Sequence, residues 1–398
     1  MDFKLLGSIL LIMGTSIGAG ILALPIATAS LGFFGASVLL LLAWSVMTLG
    51  AFLILEVNLW LDERSHIISM AKATIGPLGQ IVAWGSYLLL LYSLLCAYIA
   101  GGADLFQHLL SASGIHLSDP LSAIFFVLLL GSVVYRGIHT VDHVNRVLMF
   151  FKLGAYCLLI LLLFPFVSKE ALWFSPVKNV TNMTAILVAI TSFGYASLIP
   201  SLRIYFAGDV RKLKLAILIG SLLPLFCYIL WEAVMLGMIP LEGSSGWLAM
   251  GHSDHATSDL VAVLDHTAAS GYIVFFVKLF TSICMVTSFL GVALCLADFL
   301  ADGLQVEKVG WRNFYVHCVT FLPPIFIVLF FKDIFVKALA YAGIDCVILL
   351  ILLPAWMAWC GRYRRKVAKG YRVVGGKAVL VGMMALSILL IGMAIFPK

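Results

Sequence analysis

Charge is what this sequence has least of. Of its 398 residues, 11% are Asp, Glu, Lys or Arg and 63% are hydrophobic, whereas soluble domains carry about 25% charged residues. A soluble core able to hide this much apolar surface would still need a polar shell, and the residues to build one are missing. A bilayer removes that requirement. Long polar stretches are equally scarce: the longest, 241–270, contains Asp254, Asp259 and Asp265 but no lysine or arginine. None of the eight cysteines has C-x-x-C spacing, so neither a disulfide framework nor a zinc site is indicated. The net charge of +6 would suggest nucleic acid in a soluble chain, but here the cations sit in short loops between apolar runs, a pattern of membrane orientation. The sequence therefore points to membrane lipid as its surroundings, to no nucleic-acid partner, and to no metal, cofactor or catalytic residue. Oligomeric state is not legible.

What is present is a series of apolar runs. A spanning helix needs about 20 largely apolar residues, and that ruler gives about eleven segments: 5–30, 33–60, 81–110, 120–136, 146–167, 183–206, 213–239, 271–301, 314–331, 334–360 and 377–396. The first could be mistaken for a signal peptide, since Lys4 precedes it and Ala27-Thr28-Ala29 has the A-x-A form. It is too long and too interrupted by glycine for that, and is expected to be retained. With the N-terminus in the cytoplasm, 19 of the 25 lysines and arginines fall in inner loops and five in outer ones, Lys278 lying within a segment. That asymmetry is the positive-inside pattern. It places the N-terminus in the cytoplasm and the C-terminus in the periplasm of a cell inner membrane.

Two segments share a pattern of interruption. Thr15-Ser16-Ile17-Gly18-Ala19-Gly20 leads to Pro25, and Thr191-Ser192-Phe193-Gly194-Tyr195-Ala196 leads to Pro200. One lies in the first segment and the other in the sixth, as a five-plus-five repeat requires, and an odd number of spans per repeat inverts the second copy. Backbone at membrane depth must be bonded internally unless it lines a cavity, so paired breaks mark a binding site between repeats. Half-helix N-termini suit a carboxylate, and unwound carbonyls suit an ammonium or a metal cation. An amino acid carries both charges. Close helix packing through Gly14 and Gly18 is the competing account of the first break.

Gly14 to Pro25 resembles the bacterial aromatic amino acid permeases. So do Leu55-Glu56-Val57, Thr191-Ser192-Phe193-Gly194, Thr287–Leu294, Thr320–Pro324, Tyr341-Ala342-Gly343 and Gly370–Val373. The likeness runs from end to end. It is strongest to the tyrosine-specific members of the hydroxy and aromatic amino acid permease family, within the amino acid/polyamine/organocation superfamily. That resemblance implies an all-α membrane protein of the LeuT type with a 5+5 inverted repeat and broken helices 1 and 6. The single transporter domain 1–398 would divide into repeats 5–167 and 183–360 with an extra helix 377–396. It also implies proton-coupled import of tyrosine or a related aromatic L-amino acid. Serine, threonine or another neutral amino acid, with sodium as the coupling ion, is the alternative. Where the family has an aromatic residue and then His-Gly after the sixth-helix glycine, this chain has Tyr195-Ala196-Ser197 after Gly194, which leaves the preferred substrate open.

The substrate-binding set expected on these grounds is Gly14, Thr15, Ser16, Gly18, Ala19, Gly20, Tyr98, Ser192, Phe193, Gly194 and Tyr195. The resemblance places Lys152 beside the broken first helix as a proton-coupling residue, with Thr287 and Ser288 where relatives line a cation site. From the sequence alone, Lys152 lies about two turns into the fifth helix, and a lysine snorkelling to the interface is the plainer reading. Glu56, Asp104, Glu232, Asp298 and Asp302 read as interfacial or inter-helix partners, and Asp345 as a gate residue. Gly14-Thr15-Ser16-Ile17-Gly18 matches the hydrolase nucleophile elbow but lacks its preceding strand. The Gly243–Gly246 run, the His252/His255 pair and the sequons at Asn179 and Asn182 fall in polar loops and carry no enzyme chemistry.

The orientation is testable by labelling. Single cysteines introduced in 245–258 should react with an impermeant maleimide on intact cells, and those in 361–376 only after permeabilisation. Outside labelling of 361–376 would overturn the span count.

Overall fold

The computed structural model describes residues 3–63, 65–111, 114–173, 182–243, 246–251, 253–268, 271–306, 308–331 and 333–396. Arg64, Lys178, Lys332, Lys398, Asn179, Ser244, Ser245 and His252 lie outside the described residues. The described residues are helical throughout, without strands. In chain order the helices are α1 (Phe3–Ser16), α2 (Gly20–Thr28), α3 (Gly32–Trp60), α4 (Ile67–Thr74), α5 (Pro77–Ser111) and α6 (Asp119–Tyr135). They continue with α7 (Ile138–Leu163), α8 (Lys169–Trp173), α9 (Met183–Ser192), α10 (Ile199–Tyr205), α11 (Val210–Met238) and α12 (Trp247–Gly251). The last are α13 (Ala256–Ala268), α14 (Gly271–Gly303), α15 (Gly310–Phe330), α16 (Ile334–Cys346), α17 (Leu353–Trp359) and α18 (Gly376–Ile395). Among the described residues nine helical runs are long and apolar enough to cross a membrane, and Phe3–Ser16 and Asp119–Tyr135 are shorter apolar helices. The expectation of an all-α membrane protein holds.

Helix boundaries follow local chemistry. Gly32, at φ +67°, separates α2 from α3, a conformation that a side chain would resist. Gly137, at φ +92°, lets the chain pass from α6 directly into α7. The fifth helix therefore starts at Ile138, well before residue 146, because the polar residues ahead of it are helical too. An i,i+4 pair between Arg146 and Asp142, 2.5 Å apart, stands on its exposed face. Lys152 is consequently about four turns into the helix rather than two. The tenth segment is not a uniform helix: a π-helical stretch over Val347–Leu352 connects α16 to α17, and a second over Cys360–Arg364 ends it.

Of the acids that looked like interfacial or inter-helix partners, Glu56, Asp104, Glu232 and Asp298 are so paired. Glu56, wholly buried on α3, takes a bidentate bond from Arg362 at 2.7 and 2.5 Å and a third from the Val373 amide at 2.7 Å. This fastens the segment before α18 to the end of α3. Arg203 on α10 donates to the Asn58 carbonyl and, at 3.1 Å, to that of Leu61, capping the C-terminal carbonyls of α3. At the end of α2, Thr28 donates to Glu232 at 3.1 Å, and at the C-terminal end of α14 Asp298 pairs with Lys308.

Within the polar stretch 241–270 the described residues form α12 and α13, which bury Trp247, Met250, Leu260, Val261 and Leu264. Asp104, near the end of α5, holds this cover in place. Its carboxylate accepts from the Ser258 amide at 2.8 Å and from the Thr257 and Ser258 hydroxyls at 2.5 and 2.6 Å. His255 Nδ1 is 3.1 Å from the same carboxylate. A helix N-terminus is thus capped by an acid about 150 residues away in sequence. A cavity of about 310 Å³ beside it is lined by Asp104, Asp119, Asp254, His255 and Asp333.

The Asp104 hydrogen bond holds the His255 imidazole protonated up to a pKa of about 9, against partial desolvation. A raised pKa means stability fully present below about 6.5 and lost as pH rises through about 9. The melting temperature should therefore fall across that window, and His255→Gln should flatten the fall. Asp104→Ala strands buried donors and should cost about 1–3 kcal/mol, read as a lower melting temperature at pH 7.

Candidate functional site

Both broken helices stop at a serine. Helix α1 ends at Ser16 and α9 at Ser192. Three residues separate α1 from α2, and Phe193 with a 3₁₀ turn over Gly194–Leu198 separates α9 from α10. Inside such gaps the i→i−4 ladder lapses, and the freed carbonyls and amides need other partners. The structure supplies them from three further helices. The Lys152 amine, buried on α7, donates to the Ile17 carbonyl at 2.6 Å and to Thr287 Oγ1 at 3.3 Å. The Ala19 amide donates to Ser288 Oγ at 2.9 Å. The Tyr228 hydroxyl on α11 lies 2.5 Å from the Ser16 carbonyl and 3.0 Å from that of Ser192, touching both breaks.

Small residues permit this approach. A Cβ on Gly18 would meet Ser288 Oγ at 2.5 Å, and one on Gly20 would meet Ser192 Oγ at 3.0 Å. Gly20 thus lies directly against the end of α9. Gly343 on α16 similarly admits the α9 backbone, since a Cβ there would fall 2.5 Å from the Leu187 carbonyl oxygen. Gly194 is different: the nearest side-chain atom to its would-be Cβ is Cys346 Sγ at 3.9 Å.

The expected residues divide accordingly. Ser16, Gly18, Ala19, Gly20, Ser192, Phe193, Lys152, Thr287 and Ser288 are brought together around the breaks, and Tyr98 lies beside Ser288 and Cys346. Phe193 is fully buried, edge-on to the Tyr228 ring with centroids 5.3 Å apart. Gly14 instead faces Met149 on α7, and Thr15 is exposed with its hydroxyl turned back to the Leu11 carbonyl. Tyr195 points away into α3, its hydroxyl 2.9 Å from Thr48 Oγ1. Asp345 is buried near the end of α16, and among the described residues no hydrogen bond or ion pair engages it.

Sequence reasoning missed Tyr228, which lies in an apolar run with no local signal. It expected the backbone around Thr15–Gly20 to form the site, but not that the Ile17 carbonyl takes the Lys152 amine. The serine hydroxyls were overvalued: those of Ser16 and Ser192 bond back within their own helices, to Ile12 and Val188, so it is their carbonyls that face the gap. Two helix C-termini, one N-terminus, an amine and three hydroxyls thus meet in an apolar interior.

The profile of the tryptophan/tyrosine permease family matches residues 1–394. A Haemophilus influenzae protein named tyrosine-specific transport system 1 is 34% identical, across 97% of this chain and 95% of its own length. A tryptophan-specific transport protein of Pseudomonas aeruginosa is 31% identical across 95% and 91%. A protein of Aliivibrio fischeri named glutamine transporter 2 is 30% identical across 97% and 99%.

The glycine geometry makes a stability prediction. Gly18→Ala must displace the Ser288 hydroxyl and strand the Ala19 amide, at a cost of about 1–3 kcal/mol. Gly194→Ala meets nothing closer than ordinary contact and should stay within about 0.5 kcal/mol of wild type. Thermal melting of the two purified variants checks the order.

Proposed function

This chain belongs to the tryptophan/tyrosine permease family, and from that premise we propose that it is a secondary active transporter importing tyrosine or a related aromatic L-amino acid by proton symport, and not an enzyme. The observation that carries the site assignment is the meeting of two broken helices. Ser16 and Ser192 end α1 and α9 within reach of one hydroxyl, and three residues separate Ser16 from the start of α2. Carbonyl ends favour the α-ammonium, and the start of α2 favours the α-carboxylate. Phe193 supplies an aromatic face, worth about 0.5–1.5 kcal/mol beyond burial to an edge-on ring.

The repeat reading draws support from helix pairing. Exchanging the first five segments with the second five turns the contact of α5 with α16 into that of α14 with α7, and both contacts are extensive. In this reading the eleven segments all span, with the N-terminus cytoplasmic. Lys152 carries the coupling proton. A charge deep in a span is costly, and this one is held between a freed carbonyl and Thr287, so its proton is the one that can leave as the first break rearranges.

A second substrate reading, a neutral amino acid without a ring, has its own support in the relative named for glutamine and in the Ala196 and Ser197 that follow Tyr195. Proteoliposomes decide both points. Tyrosine, phenylalanine and tryptophan should each displace radiolabelled tyrosine, and uptake should rise with an inward proton gradient and need no sodium. Lys152→Ala should lose uphill accumulation while retaining counterflow exchange. Displacement by glutamine or serine but not by tyrosine would reject the aromatic assignment alone, and unchanged pH dependence in Lys152→Ala would move the coupling site elsewhere.

A further inference from the structure

We infer that Tyr228 is the positioning residue that fixes the spacing between the two broken helices, one hydroxyl proton serving a carbonyl from each. The inference rests on the site reading above and adds to it a residue from a third, unbroken helix. Tyr228 is fully buried on α11. Its hydroxyl stands 2.5 Å from the Ser16 carbonyl, the last residue of α1, and 3.0 Å from the Ser192 carbonyl, the last of α9. Both acceptors are helix C-terminal ends carrying partial negative charge; the Ser16 carbonyl also accepts from the Gly18 amide at 2.9 Å, but the Tyr228 hydroxyl is the donor that joins it to the Ser192 carbonyl. The hydroxyl is a donor to both, and a phenol has a single proton to share.

The rest of the side chain is fixed from other directions. The ring packs edge-on against Phe193, in the second break, with planes at 74°. Helix α11 itself lies against α1, α2 and α3. Tyr228 thus touches the first break through its hydroxyl and the second through both hydroxyl and ring. A ligand that must contact both breaks needs their separation set in advance, because any spread in that distance is ordering that binding must supply. Tyr156 on α7 provides an internal comparison. It is another buried tyrosine, donating at 2.7 Å to the Cys227 carbonyl of α11, with no contact to either break carbonyl.

The test compares equilibrium binding of radiolabelled tyrosine, with melting temperature read in parallel, for full-length variants in lipid nanodiscs. Tyr228→Phe keeps the ring contact and should raise the dissociation constant tenfold or more. Tyr156→Phe should lower the melting temperature at least as much while leaving binding within twofold of wild type. Tyr228→4-aminophenylalanine restores a donor of the same shape with a proton for each carbonyl, and should bind within threefold of wild type. Wild-type affinity in Tyr228→Phe, equal weakening in Tyr156→Phe, or failure of the amino variant to bind overturns the inference. Should Tyr228→Phe not accumulate, the amino variant decides alone. Gly18→Val separates the two levels: if it still binds tyrosine, the site reading itself is wrong, whereas its loss alongside normal Tyr228→Phe removes only the role of Tyr228.

Discussion

Backbone groups freed inside an apolar bundle must find partners, and the centre of this molecule is organised around that requirement. A helix that stops at mid-depth abandons carbonyls and amides that water cannot reach, each costing about 1–3 kcal/mol if left bare. Here the partners are a lysine amine, a tyrosine hydroxyl and a serine hydroxyl, delivered by α7, α11 and α14. Those three helices are consequently fixed relative to the first break, and α11 relative to the second as well. Their positions follow from the need to satisfy Ile17, Ser16 and Ala19 as much as from apolar packing. Glycine at 18 and 20 keeps the distances short enough for hydrogen bonds.

Burial is uneven on the two sides of the first break. All nine residues of α2 are buried, whereas in α1 only Ser8, Ile9, Ile12 and Ser16 are. The α2 side is further covered by α12 and α13, fastened through Asp104. Displacing α1 disturbs four buried residues and displacing α2 nine, and within a bilayer such packing acts through van der Waals contact rather than removal from water. What resists displacement of α1 is therefore concentrated in a few polar contacts next to the break, chiefly those of Ser16 and Ile17 with Tyr228 and Lys152.

The architecture was legible because a bilayer imposes long apolar runs, and the breaks because glycine and hydroxylated residues interrupt those runs in matching places. Lys152 could be placed near the first break only through family resemblance; its depth was misjudged because the polar residues 139–146 look like a loop by hydropathy and fold as an exposed helical face. The π-helical stretch over Val347–Leu352 left no mark, since its residues are ordinary helix and strand formers and the extra residue per turn is imposed by neighbours. Tyr195 shows the limit of proximity in sequence. It adjoins the break, yet the 3₁₀ turn rotates it toward Thr48, while Tyr228, 33 residues later in the chain than Tyr195, fills the gap.

The paired acids show how this chain tolerates charge at depth. Glu56 is spent on Arg362 and the Val373 amide, which ties the segment before α18 to α3; Arg203 is spent on α3 carbonyls. Each is matched by partners sufficient to offset the loss of hydration. Lys152, like Arg203, has no carboxylate partner, but it is held by a carbonyl inside the first break and a hydroxyl rather than by the end of an intact helix. Its charge is stabilised by dipoles that exist only while the first helix is broken in this geometry. A rearrangement that re-forms or further opens the break changes those dipoles and so changes how firmly the proton is held. On the proposed reading of Lys152 as the coupling residue, that dependence is what joins the state of the backbone to the state of a proton.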